Sequence, residues 1–166
     1  MKKAAEKLYK SKIYFLKIFI GTDHAGFEMK EELKTYLGDL GHDVFDKGAF
    51  ELNPGDDYPD FVSLVAEGVV ATAPESEDEV RGIVLGGTGT GEAIEANRLL
   101  GIRTAVYYGG PIEIVKLARE HNDANILSLG ARFIDLGQVI EAVKVFLETP
   151  FSGDERHIRR IVKLDN

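Results

Sequence analysis

The chain has 166 residues, 44% of them hydrophobic, which is core enough for one compact domain and excludes disorder of the whole. It has no cysteine, so a disulfide framework, a thiolate metal site and a cysteine nucleophile are excluded, and its four histidines show no metal-ligand spacing such as HExxH. Residues 1–17 carry six lysines and one glutamate, a local +5, so the net charge of -8 leaves -13 on the remainder, an acidic body that argues against nucleic acid as the main partner.

The opening "MKKAAEKLYKSKIYFLKIFIG" starts like a signal peptide, but Lys17 interrupts the apolar run and no small-x-small cleavage site follows. It reads as a basic extension over 1–16 leading into a single domain over 17–166. No segment is long and apolar enough to cross a bilayer, so no membrane partner is expected, and a cytoplasmic setting fits the lack of cysteine. Short β-branched runs then follow at "LKIFIG" (16–21), "HDVFDK" (42–47), "VRGIVLG" (80–86), "IRTAVYY" (102–108) and "ANILSLG" (124–130). Helical patterns fill 26–38, 58–71, 91–99, 111–121 and 135–148, and a basic amphipathic tail after Pro150 reads as a last helix. Gly41, "NPGDDYP" and "APESEDE" mark the breaks, and Pro111 suits a helix start.

Five strands alternating with helices give an α/β fold: a three-layer α/β/α sandwich around a five-stranded parallel sheet, Rossmann-like or flavodoxin-like. Ligands of such sheets bind beyond the carboxyl ends of the strands, where strand order reverses. "GTDHAG" follows the first strand, the glycine loop follows the third and "GAR" follows the fifth. With the order 2-1-3-4-5, the first two of these loops face one another.

The loop in "VLGGTGTGEAIEAN" (84–97) fails two nucleotide templates. GxGxxG meets Glu92 or Ile94 where its last glycine belongs, and the P-loop pattern starting at Gly86 meets Glu92 and Ala93 instead of lysine and a hydroxyl residue. What remains is a set of bare backbone amides at a helix start, suited to an oxyanion. A carboxylate beside such amides can remove a proton from carbon while they stabilise the enolate-like oxygen; equally, Glu92 can simply complement the helix dipole. Asp23 and His24 read either as a cap followed by a polar loop residue or as acid–base partners facing Glu92. His121 and Asn122 end a helix, where a histidine also suits the dipole.

Arg156 and Arg160 are four apart and so share one face of the last helix, while Arg132 follows the fifth strand. Guanidinium groups match phosphate geometry, although a basic tail can also pair with the acidic body.

From about Lys17 to the C-terminus, "GTDHAGFEMKEELKTYL", "HDVFDKG", "DYPDF", "GGTGTGEAIEANRLLGIR", "LAREHNDANILSLGAR" and "GDERHIRR" together resemble the B-type ribose-5-phosphate isomerases, a family that includes the galactose-6-phosphate isomerase subunits. The resemblance implies metal-free and cofactor-free interconversion of ribose 5-phosphate and ribulose 5-phosphate. It also implies a homodimer with sites built from both subunits, leaving assembly into tetramers open. Many members place a catalytic cysteine just before the GTG turn; here that position is Gly86, and the sequence instead resembles the subgroup whose base is a glutamate at the start of the following helix, here Glu92.

On this basis Glu92 shuttles the proton between C2 and C1, and Gly87, Thr88, Gly89 and Gly91 stabilise the cis-enediolate. Asp23 handles hydroxyl protons, and His121 with Asn122 reaches in from the partner to open the ring. His24, Arg132, Arg156 and Arg160 bind the phosphate, and Tyr58 closes over the sugar. An isomerase of a galactose or allose 6-phosphate, and a non-catalytic anion-binding module on the same fold, are the alternative readings.

Overall fold

The structure is a computed structural model that describes residues 15–76 and 79–165. Most of the basic extension, residues 1–14, lies outside the described residues, as do Glu77 and Asp78 of the acidic connection.

Five strands form one parallel sheet: β1 (Leu16–Thr22), β2 (Asp43–Asp46), β3 (Glu79–Gly86), β4 (Thr104–Tyr107) and β5 (Ile126–Gly130). Among the described residues six α-helices connect or follow them: α1 (Phe27–Asp39), α2 (Pro59–Thr72), α3 (Thr90–Ala96), α4 (Glu113–Asn122), α5 (Leu136–Glu148) and α6 (Glu155–Val162). The three-layer α/β/α architecture read from the sequence is the one observed.

The inward pattern has a period of two, as a sheet covered on both faces requires. Ile18 and Ile20 of β1, Ile83 and Leu85 of β3 and Leu127 and Leu129 of β5 join the core with Leu33, Leu37, Val115, Val139 and Phe146. Phe19, Val84 and Ile126 turn to the other face, against Val62, Val65, Val69 and Ala96. Helices α1, α4 and α5 therefore cover one face, and α2 and α3 the other.

The strand order is β2-β1-β3-β5-β4, which corrects the expected 2-1-3-4-5. The chain passes over the position beside β3, lays β4 at the edge and returns to insert β5. Composition explains the swap: "ILSLG" is buried at all five positions, whereas β4 has three half-buried residues and suits an edge. The reversal between β1 and β3 is unaffected. The swap sets the end of β5 beside the glycine loop, with Gly86 opposite Gly130.

Candidate active site

Two hydroxyls pin the carboxyl ends of the three central strands. The buried Thr22 hydroxyl donates to the Leu85 carbonyl at 2.9 Å, tying β1 to β3. Ser128 Oγ donates to the Gly89 carbonyl at 2.6 Å, tying β5 to the glycine loop. Backbone bonds from Ala131 to Gly86 (2.8 Å) and from Arg132 to Gly87 (3.2 Å) complete the floor. Gly89 has φ +75°, a left-handed conformation for which glycine is suited, and it starts α3 there.

Glu92 stands in the first turn of α3 but is only 4% exposed, so it is no ordinary dipole-complementing surface residue. Its carboxylate lies against Gly86, in space that a β-carbon at that position would fill. Burial raises its pKa above the usual carboxylate range. A hydrogen bond from its own backbone N–H opposes this, and the negative charge of Asp23 adds to it. A buried carboxylate with raised basicity, beside loop amides, is the arrangement a carbon base needs.

Asp23 both caps and faces the site: its carboxylate accepts from Ala25 N at 2.9 Å, and it is 7% exposed. Its neighbour His24 has a partner that the sequence did not reveal. Asp56 Oδ1 accepts from His24 N at 3.0 Å and lies 2.7 Å from His24 Nδ1. Asp23, His24 and Asp56 bring three ligand-type atoms within 4.8 Å of one another. The 2.7 Å separation is that of a hydrogen bond; two ligands of one tetrahedral zinc would stand roughly 3.3 Å apart.

The turn holding Asp56 also delivers Tyr58, whose ring packs on Gly91, where an added β-carbon would come within 2.9 Å of it. Fully buried Lys30 anchors the start of this segment, donating to Asp46 at 2.8 and 2.9 Å and to the Ala49 carbonyl at 2.7 Å. Thr88 is exposed, its hydroxyl accepting from Thr90 N at 3.2 Å. Arg132 is exposed, with its guanidinium beside Gly87. Glu92, Asp23, His24, Tyr58, Thr88, Arg132 and glycines 87, 89 and 91 thus gather at the carboxyl ends of β1, β3 and β5.

His121, Asn122, Arg156 and Arg160 do not join them. Helix α4 ends at Asn122, before β5 begins, so these residues sit at the amino edge of the sheet. The five residues of β5 alone separate the two edges by on the order of 16 Å. At that edge His121 stacks on His157, ring centroids 4.4 Å apart and 12° from parallel, which docks α6 on α4. His157 is 4% exposed, and its Nε2 is buried without a hydrogen-bond partner among the described residues. Burial lowers its pKa, and the neighbouring His121, Arg156 and Arg160 act in the same direction against Asp154. Arg156 and Arg160 are exposed on α6, one turn apart.

Thr22, Ser128, Asp56 and His157 carried no sequence signal of their own. The hydroxyls interrupt apolar runs, Asp56 lies 32 residues from the ring it holds, and His157 passes for one more basic residue of the tail.

A family model described as Ribose/Galactose Isomerase matches residues 18–164. The ribose-5-phosphate isomerase B of Mycolicibacterium paratuberculosis is 41% identical over 146 residues, 88% of this chain and 87% of the relative. Among solved structures, a ribose 5-phosphate isomerase from Thermotoga maritima superposes with a TM-score of 0.80 at 43% identity, covering 90% of this chain and 97% of the other. Ribose-5-phosphate isomerase B from Mycoplasma genitalium, solved with ribulose-5-phosphate bound, gives 0.83 at 36% identity, covering 91% and 95%. The matched span, residues 18–164, takes in the residues of both clusters, and this chain belongs to the ribose/galactose isomerase family.

Proposed function

We propose that this chain is an aldose–ketose isomerase interconverting ribose 5-phosphate and ribulose 5-phosphate through a cis-enediolate, with Glu92 as the base. The observation that carries this reading is the buried carboxylate of Glu92, set against Gly86 beside the glycine-loop amides and facing Asp23. The relatives named above, one with ribulose-5-phosphate bound, support the substrate.

The steps follow from the chemistry of the groups. Once the sugar ring is open, Glu92 takes the proton from C2 of the aldose, and the electron pair left behind makes the C1 carbonyl oxygen an oxyanion. The amides of Gly87 to Gly91 and the Thr88 hydroxyl stabilise that oxygen; a single donor of this kind is worth about 3 kcal/mol of barrier. Asp23 passes the O2 hydroxyl proton toward O1, and Glu92 returns its own proton to C1, which yields the ketose with no net change in protons.

The separation of the two clusters supports a homodimer in which the amino edge of one subunit meets the carboxyl edge of its partner. His121 and Asn122 then assist ring opening in the partner's site, and Arg156 and Arg160 join His24 and Arg132 around the phosphate. Tyr58, already over Gly91, covers the sugar.

The relative kcat/KM on ribose 5-phosphate, allose 6-phosphate and galactose 6-phosphate tests the reading. Turnover favouring the pentose is expected. Preference for a hexose phosphate overturns the substrate but keeps the chemistry; binding of ribose 5-phosphate without turnover overturns both.

A further inference from the structure

We infer that Asp56 is a positioning residue of this site: it fixes the imidazole of His24 with Nδ1–H committed to the protein, so that Nε2 is the nitrogen presented to substrate. The inference rests on the reading of His24 as a substrate-binding residue.

The same oxygen, Asp56 Oδ1, meets both the backbone N–H of His24 at 3.0 Å and the ring Nδ1 at 2.7 Å. A carboxylate oxygen only accepts, so the ring contact requires the hydrogen on Nδ1. The backbone bond fixes where that oxygen lies, and the pair of bonds leaves the ring little rotational freedom. The nitrogen left over is Nε2, and the hydrogen bond at one ring nitrogen decides what the other can offer. His24 is partly exposed, with 29% of its side chain accessible, while the Asp56 side chain is 8% exposed, so the reachable end of the pair is the ring.

As a device for stability alone, the arrangement is a poor one. Asp56 Oδ2 is buried with no hydrogen-bond partner among the described residues, and a buried carboxylate oxygen left unpaired is destabilising. The turn itself closes without it, through Asp56 N to the Asn53 carbonyl at 3.1 Å and Gly55 N to Asn53 Oδ1 at 3.0 Å. What the Asp56 carboxylate adds is the orientation of His24. It also joins His24 to the segment that sets Tyr58 on Gly91, so the two sides of the substrate space are held by one turn.

Long-range 15N–1H correlation spectra of the ligand-free protein test the pairing without substrate. Wild type is expected to show His24 with its hydrogen on Nδ1. Asp56→Ala is expected to move it to Nε2, the nitrogen that holds it in free imidazole side chains, whereas Asp56→Asn, whose oxygen can still accept both N–H groups, keeps it on Nδ1. Kinetics test the role: Asp56→Ala should raise KM for ribose 5-phosphate roughly tenfold with kcat nearly unchanged, and Asp56→Asn should recover most of the loss. A hydrogen on Nε2 in wild type, or the same tautomer in Asp56→Ala as in wild type, overturns the pairing. A KM that stays put in Asp56→Ala while His24→Ala raises it overturns the positioning role. An unchanged KM in His24→Ala overturns the substrate-binding reading of His24 instead, with the tautomer left to decide the pairing.

Discussion

Gly86 and Glu92 compete for one space: the carboxylate of Glu92 occupies the position a β-carbon on residue 86 would take. A glutamate base in this loop therefore requires glycine at the end of β3. The resemblance noted above, in which many members carry a cysteine at this position, then has a steric meaning. A side chain at 86 and a carboxylate from 92 are alternative ways of filling the same spot.

Gly86→Ala is expected to push Glu92 out of place while leaving the sheet intact, since residue 86 closes a strand and has no left-handed φ. A misplaced general base forfeits a factor on the order of 100 or more, so kcat should fall by that much with little change in KM. Steady-state kinetics on the folded variant check this, and wild-type kcat in Gly86→Ala would show that the carboxylate works from elsewhere.

Glu92→Gln should abolish exchange of the substrate C2 proton with solvent while retaining binding of ribose 5-phosphate. The raised pKa of Glu92 gives two further signs to look for. If Glu92 is the base, activity needs its carboxylate, so the acid limb of kcat/KM should lie above the ordinary carboxylate range and move down in Asp23→Asn at whatever residual rate remains. Stability runs the other way. A raised carboxyl pKa favours the protonated folded state at low pH, and this contribution is lost as pH rises through the folded value, so Glu92→Gln should melt higher than wild type at neutral pH.

If each site draws on both edges of the sheet, two impaired variants should complement one another. Mixed Glu92→Gln and Arg156→Ala subunits, unfolded and refolded together, form heterodimers with one intact site, or roughly a quarter of wild-type sites at random pairing. Activity assayed at substrate levels too low for Arg156→Ala alone reads this directly. No gain on mixing would place both residues in one subunit's site.

His157, stacked on His121, gives the amino edge a response to acid. With its pKa lowered in the fold, His157 contributes stability that is present above the ordinary histidine value of about 6.5 and is lost as pH falls toward the folded value. Half-buried His42, whose pKa partial burial also lowers, has the same sign. The melting temperature should therefore drop below about pH 6.5. His157→Phe, which keeps a ring against His121, should flatten part of that drop, and an identical pH profile in the variant would assign it to His42 and the rest of the molecule.

The fold was legible because a buried parallel sheet leaves a plain signature, short β-branched runs between amphipathic helices, and the core positions Ile18, Ile83 and Leu127 lie within such runs. Strand order was not, because periodicity records which residues are buried and says nothing of which strand lies beside which. Glu92 was identifiable as the odd residue in a glycine loop. Its burial was not, since that depends on the absence of a side chain at Gly86 and on Tyr58 arriving over Gly91 from another turn. Asp56 lay in a stretch whose Pro, Gly and Asp residues announce a turn, and turn chemistry hides any second task of its carboxylate.

The hydroxyl bonds of Thr22 and Ser128 and the strand-end bond from Ala131 to Gly86 have a kinetic consequence. They root the floor of the site in β1, β3 and β5, whose ends are among the most buried parts of the chain. Amides there are expected to exchange with solvent deuterium only when the sheet opens, and those of the exposed stretch from Glu51 to Gly55 and the surface of α6 through local fluctuations. The reacting end of the sugar would rest on the slowest-exchanging part of the protein, and the motions that admit and release it would belong to the roof.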